Sequence, residues 1–149
     1  MTATMRRKPL HRVNKEAWLA VMVMIVSLAF AKAAVPGQDL CLEESYPHDP
    51  GAFTQGLVYY NGRLLESTGR YGHSSVRMVE LETGRVLLQR SLPDDFFGEG
   101  LALHDGILYQ LTWHNGLVLK YDPETLKPLG RISIDGEGWG LASDGERMV

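Results

Sequence analysis

After residue 33 the apolar positions fall into short runs and alternations of strand length, separated by turn signals. Arg63–Ser67 and Ile107–Thr112 read as short strands, and Ser75–Leu81 and Leu117–Tyr121 alternate or run apolar over a similar length. Arg85–Leu92 and Leu129–Ile134 follow, each after a turn, Glu82-Thr83-Gly84 or Asp122-Pro123-Glu124-Thr125. No window of comparable length in this region carries the period of an amphipathic helix.

The pattern repeats. Gln55-Gly56-Leu57-Val58-Tyr59, Glu99-Gly100-Leu101-Ala102-Leu103 and Trp139-Gly140-Leu141-Ala142-Ser143 align without gaps, with their glycines 44 and 40 residues apart. Each segment runs into Asn61-Gly62, Asp105-Gly106 or Asp144-Gly145. Such dipeptides favour tight hairpins, because both central residues must take positive φ. Four short antiparallel strands per unit of this length predict an all-β fold, a β-propeller of four-stranded blades. A two-sheet sandwich also uses short strands and turns, but has no reason to repeat Gly-Leu at matched positions. The chain stops within a strand, at Arg147-Met148-Val149, after two blades and the opening of a third. A closed ring needs at least four blades, so the expectation is a fragment or a truncated product.

The N-terminus has a different character. Arg6, Arg7, Lys8, Arg12 and Lys15 precede an apolar run, Ala17–Ala31, which ends at the small-x-small pattern Ala31-Lys32-Ala33. Basic head, short apolar core and small-residue exit predict a signal peptide over residues 1–33, and a periplasmic or secreted protein. An uncleaved anchor is the alternative, although the run is shorter than the roughly 20 residues of a relaxed membrane span. Residues 34–149 are then an incomplete propeller domain. Removing the signal takes away six basic residues and one acidic one, leaving nine against seventeen, a formal charge of −8. Phosphate contact needs clustered Lys and Arg, so nucleic acid is excluded as a partner. One cysteine, Cys41, cannot form an internal disulfide. His48, His73, His104 and His114 lack zinc-site spacing, and no metal is expected. His48, within Tyr46-Pro47-His48-Asp49-Pro50, is expected to order a loop.

The repeat also points to a site. In a propeller the residues opening each innermost strand converge on the central axis. Immediately before each Gly-Leu stand Gln55, Glu99 and Trp139, and two positions earlier stand Phe53, Phe97 and Glu137. Glycine and leucine repeat while the axis-facing positions differ, as expected of a pocket built from different parts on equivalent mounts. Gly98 and Gly100 are expected to leave room for a ligand beside Glu99, unless they mark a β-bulge with Glu99 capping a turn. Trp113, at the end of a second strand, is either an aromatic wall of the pocket or packing between blades.

These segments resemble a known family. Tyr46-Pro47-His48-Asp49, Phe53-Thr54-Gln55-Gly56-Leu57 and Glu66-Ser67-Thr68-Gly69-Arg70-Tyr71-Gly72, running on to Ser74-Ser75-Val76-Arg77, are similar to the plant and bacterial glutaminyl-peptide cyclotransferases. Phe97-Gly98-Glu99-Gly100-Leu101, Leu111-Thr112-Trp113 and Glu137-Gly138-Trp139-Gly140-Leu141 follow in the same order and spacing. The resemblance covers residues 45–149 and implies a five-bladed propeller, of which this chain would be a little under half. It implies cyclisation of an N-terminal glutamine to pyroglutamate with release of ammonia, without metal or other cofactor. It assigns Glu99 as the catalytic carboxylate, with Phe53, Gln55, Phe97, Trp113 and Trp139 contacting the substrate. The implied partner is a peptide or protein with an N-terminal glutamine. The complete protein is expected to be a monomer, without a stable membrane partner once the signal is cut. A non-catalytic propeller binding peptide or sugar, and an inactive relic, are the rival readings.

Overall fold

A computed structural model of the chain describes residues 43–149; the expected signal peptide and Cys41 lie outside the described residues. The described residues hold two four-stranded antiparallel sheets and no helix. The first comprises β1 (Thr54–Tyr60), β2 (Arg63–Thr68), β3 (Ser75–Glu80) and β4 (Val86–Ser91), in that order. The second comprises β5 (Gly98–His104), β6 (Ile107–Thr112), β7 (Leu117–Tyr121) and β8 (Pro128–Ser133), also in sequence order. Each is the meander expected of a propeller blade.

The first hairpin of each blade turns as its sequence requires. Asn61 and Gly62 take φ of 47° and 77°, and Asp105 and Gly106 take 49° and 73°. The third dipeptide behaves differently. Gly145 has positive φ, whereas the Asp144 carboxylate accepts the backbone N–H groups of Glu146 and Arg147. Nor does residue 139 open a strand in this structure. Its segment is held by the Ser143–Met148 bridge and a pair of hydrogen bonds between Ala142 and Val149. The remaining ladder that would make it a strand has no partner among the described residues.

The blades pack face to face. Leu65, Val76 and Met78 from the first meet Leu101, Leu108, Tyr121 and Leu126 from the second, with Val58, Tyr60, Leu103 and Leu119 around them. A polar seam crosses the same interface. Gln110, wholly buried, donates from Nε2 to Ser67 Oγ at 2.7 Å and to the Ser75 carbonyl at 3.1 Å. Its Oε1 accepts the Tyr121 hydroxyl at 3.2 Å, and burial pushes that phenol up to about 12, so it stays a donor.

The repeat glycines stand where inner strands come closest. A Cβ on Gly56 would lie 2.5 Å from the Leu101 nitrogen, and one on Gly100 would lie 2.5 Å from both the Leu141 nitrogen and the Trp139 oxygen. Gly100 N–H donates to that same Trp139 carbonyl at 2.7 Å. Only glycine allows backbone to approach backbone this closely.

The opposite face of the first blade carries an ion-pair network. Glu66, wholly buried, accepts Arg77 Nη2 and Nε on one oxygen at 2.6 and 3.0 Å. Its other oxygen accepts His48 Nε2 at 2.9 Å and Thr54 Oγ1 at 2.5 Å. Arg77 Nη1 reaches Asp49 at 3.0 Å, and the Asp49 carboxyl is held below its usual range by the Gly51 N–H first and then by Arg77. His48 thus pins the incoming segment onto the blade, the loop-ordering role its sequence context suggested. A buried charge stripped of its partner is costly, so Glu66→Ala is expected to lower unfolding free energy by about 3–5 kcal/mol, read as a shifted urea midpoint.

Candidate active site at the mouth of the inner strands

Two β-bulges at matched positions set the site. Thr54 pairs with Thr68 but Gly56 with Ser67, so Gln55 is the extra residue of β1. In β5, Gly98 pairs with Thr112 and Leu101 with Gln110, so Glu99 and Gly100 share one opposing residue. A bulge bends its strand and re-aims a side chain. The two bulged residues meet: Gln55 Nε2 donates to Glu99 Oε1 at 3.2 Å.

Gly98 and Gly100 do not leave space for a ligand beside Glu99, contrary to expectation. A Cβ at Gly98 would meet the Thr68 carbonyl at 2.7 Å and Gln110 Nε2 at 2.8 Å, and the Gly100 position is filled as described. The neighbouring blades occupy these gaps. The bulge reading of these glycines is the one that holds, although Glu99 turns to Gln55 rather than to a turn amide.

Glu99 is only 5% exposed. Burial raises its carboxyl pKa above the usual carboxylate range, with the Gln55 amide opposing that shift in part. The charged form is thus the disfavoured one in this environment.

The aromatic candidates form one contiguous row. Phe97 meets Phe53 at 6.1 Å, Tyr71 at 5.4 Å and Trp113 at 5.6 Å between ring centres, each edge to face. Trp113 meets Trp139 at 5.5 Å in the same manner. These are favourable aromatic geometries. Phe53 and Trp139 are largely exposed, whereas Phe97 and Trp113 are half-buried. Backbone bonds fix the row, with Phe53 and Phe97 carbonyls accepting Gly69 and Trp113 N–H groups at 2.8 and 3.0 Å. Gly69 also makes room for the Phe97 ring, which a Cβ there would strike at 2.2 Å.

All six sequence candidates therefore fall into two adjoining sets: the Gln55–Glu99 pair and the row Phe53–Phe97–Trp113–Trp139. Trp113 stands in the middle of the row, packed between Phe97 of its own blade and Trp139 of the next repeat. Two further residues join the row: Tyr71, which the repeat does not single out, and Glu137, which the repeat places beside the axis without a role. Tyr71 packs on Phe97, and Glu137 accepts the Trp113 indole N–H at 3.2 Å while pairing with His114 at 3.1 Å. Glu137 occupies the position equivalent to Phe53 and Phe97, and that equivalence was the available signal. Tyr71 had only its place in the Gly69–Gly72 loop.

Two four-stranded meanders packed face to face, with a buried carboxylate and an aromatic row where their inner strands open, define an arc of a β-propeller carrying a candidate site. The chain belongs to the glutamine cyclotransferase family, which it matches over residues 17–149. It is 47% identical over 107 residues to a glutaminyl-peptide cyclotransferase of Arabidopsis thaliana, covering 69% of this chain and 33% of that protein. It also resembles the crystal structure of Myxococcus xanthus glutaminyl cyclase, with a TM-score of 0.62 and 38% identity, over 70% of this chain and 44% of that one. The chain thus spans about a third of the curated relative and under half of the solved one.

Two outcomes follow from this geometry. Because folded Glu99 holds its proton more tightly than it would in an unfolded chain, its ionisation opposes folding. Glu99→Gln is expected to raise the melting temperature at neutral pH. That advantage should vanish as pH falls below the ordinary carboxylate range, in paired thermal melts. Gly100→Ala is expected to cost about 1–3 kcal/mol by overpacking, and to disturb the Trp139 signal in near-ultraviolet circular dichroism.

Proposed function

We propose that the protein is a glutaminyl-peptide cyclotransferase, a metal-independent acyltransferase that closes an N-terminal glutamine to pyroglutamate and releases ammonia. The observation that carries this reading is the buried Glu99, its pKa raised, held by the Gln55 amide beside the aromatic row. Family membership and the similarity to a glutaminyl-peptide cyclotransferase support it.

The reaction joins the free α-amine to the side-chain amide carbon and breaks the bond from that carbon to the amide nitrogen. The attacking amine must lose a proton, and the leaving nitrogen must gain one to depart as ammonia. A single carboxylate serves both steps. Glu99, ionised, takes the proton from the amine as the ring closes, and returns it to the leaving nitrogen as the tetrahedral centre collapses. A carboxyl whose pKa lies nearer neutrality is the better shuttle. Gln55 holds the Glu99 carboxylate in place and has an amide available to the substrate amide or its developing oxyanion. Phe53, Phe97, Trp113 and Trp139 hold the glutamine side chain folded back, so that amine and amide meet within reacting distance.

The basic head, apolar run and Ala31-Lys32-Ala33 of residues 1–33 support export to the periplasm or the exterior, where secreted peptides would be the substrates. The complete protein acts as a monomer on free N-termini in this reading.

The test is ammonia release from a peptide beginning with glutamine, with the full-length protein. Glu99→Gln should lower kcat by about 10²–10⁴-fold while peptide affinity persists; retained turnover would remove Glu99 from the mechanism. In the wild type, activity should fall on the acid side as Glu99 becomes protonated. Gln55→Leu removes the hydrogen bond that lowers the Glu99 pKa, so that acid limb should move to higher pH.

A further inference from the structure

The loop Gly69–Gly72 holds a feature the cyclisation chemistry leaves unused. Arg70 has φ of 100°, a backbone conformation that residues with a side chain rarely adopt. The surroundings fix it there. Its carbonyl accepts the His73 N–H at 2.9 Å and the Ser74 hydroxyl at 2.8 Å. That hydroxyl in turn accepts the Gly98 N–H at 3.1 Å, one residue before Glu99. The strained corner is therefore tied directly to the strand that carries the candidate catalytic carboxylate. Its guanidinium lies 5.0 Å over the Phe53 ring, at one end of the aromatic row. Among the described residues the arginines in ion pairs are Arg77, Arg85 and Arg147, and the exposed Arg70 is in none.

A cavity opens beside it, lined by Phe53, Thr68, Arg70, His73, Ser75 and Arg77, among others. Hydroxyls and N–H-bearing side chains dominate this wall. The nearby carboxylates of Glu66 and Asp49 are already engaged by Arg77. At the far end of the row the charge is reversed, with Glu137 beside Trp113. A ligand crossing the row thus meets a cation at the Phe53 end.

We propose that this cavity is an anion subsite that takes a carboxylate carried by the peptide substrate beyond its reacting glutamine, with Arg70 as the specificity-determining charge. This rests on the cyclotransferase reading, and deepens it by naming a class of preferred substrate: peptides with an acidic residue following the glutamine. A guanidinium steadied over an aromatic ring is suited to pairing with a planar carboxylate. At a solvent-exposed site one such pair discriminates by about fivefold.

The experiment compares two glutamine-initiated peptides, identical except that one carries Glu and the other Gln near the N-terminus. Calorimetric affinity and ammonia release are both measured on the full-length wild type, Arg70→Lys and Arg70→Met. The expected acidic-to-neutral affinity ratio is about fivefold in the wild type, partly kept by Arg70→Lys and close to one in Arg70→Met. In the wild type alone it should also shrink as the Debye length contracts from about 30 Å at 0.01 M salt to about 3 Å at 1 M. That arm decides the matter should Arg70→Met not fold. A ratio near one in the wild type at low salt, or an undiminished one in Arg70→Met, overturns the subsite. Selective binding without ammonia release would leave the subsite standing and remove the cyclotransferase reading instead.

Discussion

Where one blade's inner strand meets the next, there is no room for a side chain. At Gly56 and at Gly100 the space a Cβ would take is already held by backbone of the following repeat. That close approach brings the bulges of β1 and β5 side by side, and the Gln55–Glu99 hydrogen bond depends on it. The same contact seats the Trp139 carbonyl on the Gly100 amide, and through it the end of the aromatic row. Packing that elsewhere would serve only stability here sets the separation of the candidate catalytic groups.

The two blades share a frame but place different chemistry on it. Glu66 and Gln110 occupy equivalent positions on β2 and β6, and both are fully buried. In the first blade that position anchors an ion-pair network with Arg77, His48 and Asp49, on the face turned away from the second blade. In the second blade the neutral amide bridges back to Ser67 and Ser75, sealing the interface between blades. Both of these buried side chains are paired, as their desolvation requires. The charged network carries the greater cost and the stronger constraint, and it is spent on fixing the segment that leads into Phe53 and Gln55.

At the site the balance of forces runs the other way. Glu99 has one neutral hydrogen-bond donor and no cation within its reach among the interactions described, so burial dominates and its charged form is disfavoured. Glu66, equally buried, has Arg77 as a direct partner. Two carboxylates in neighbouring strands thus differ by the presence of one guanidinium. The paired one ties the incoming segment to its blade, and the one without a cation has its carboxyl pKa raised by burial.

The repeat of Gly-Leu, the turn dipeptides and the strand-length apolar runs determined the all-β blades, because hairpin geometry and side-chain alternation are local properties of the chain. They also singled out Gln55, Glu99 and Trp139, since equivalent mounts in a repeat must lie near one another. The third Asp-Gly also makes its turn, closed by the Ser143–Met148 bridge, but Asp144 does not take the positive φ of the first two, and the pairing extends only to Ala142, because a strand runs only as far as another strand pairs with it. The sequence leaves the glycines around Glu99 open between ligand space and a β-bulge; packing between blades decides for the bulge, because protein fills the space. Tertiary structure alone decided that Glu66 pairs with Arg77, that Glu137 holds Trp113, and that the Gly69–Gly72 loop brings Tyr71 and Arg70 to the aromatic row. These contacts join residues distant along the chain, and their geometry is set by how the blades pack, which no local pattern records.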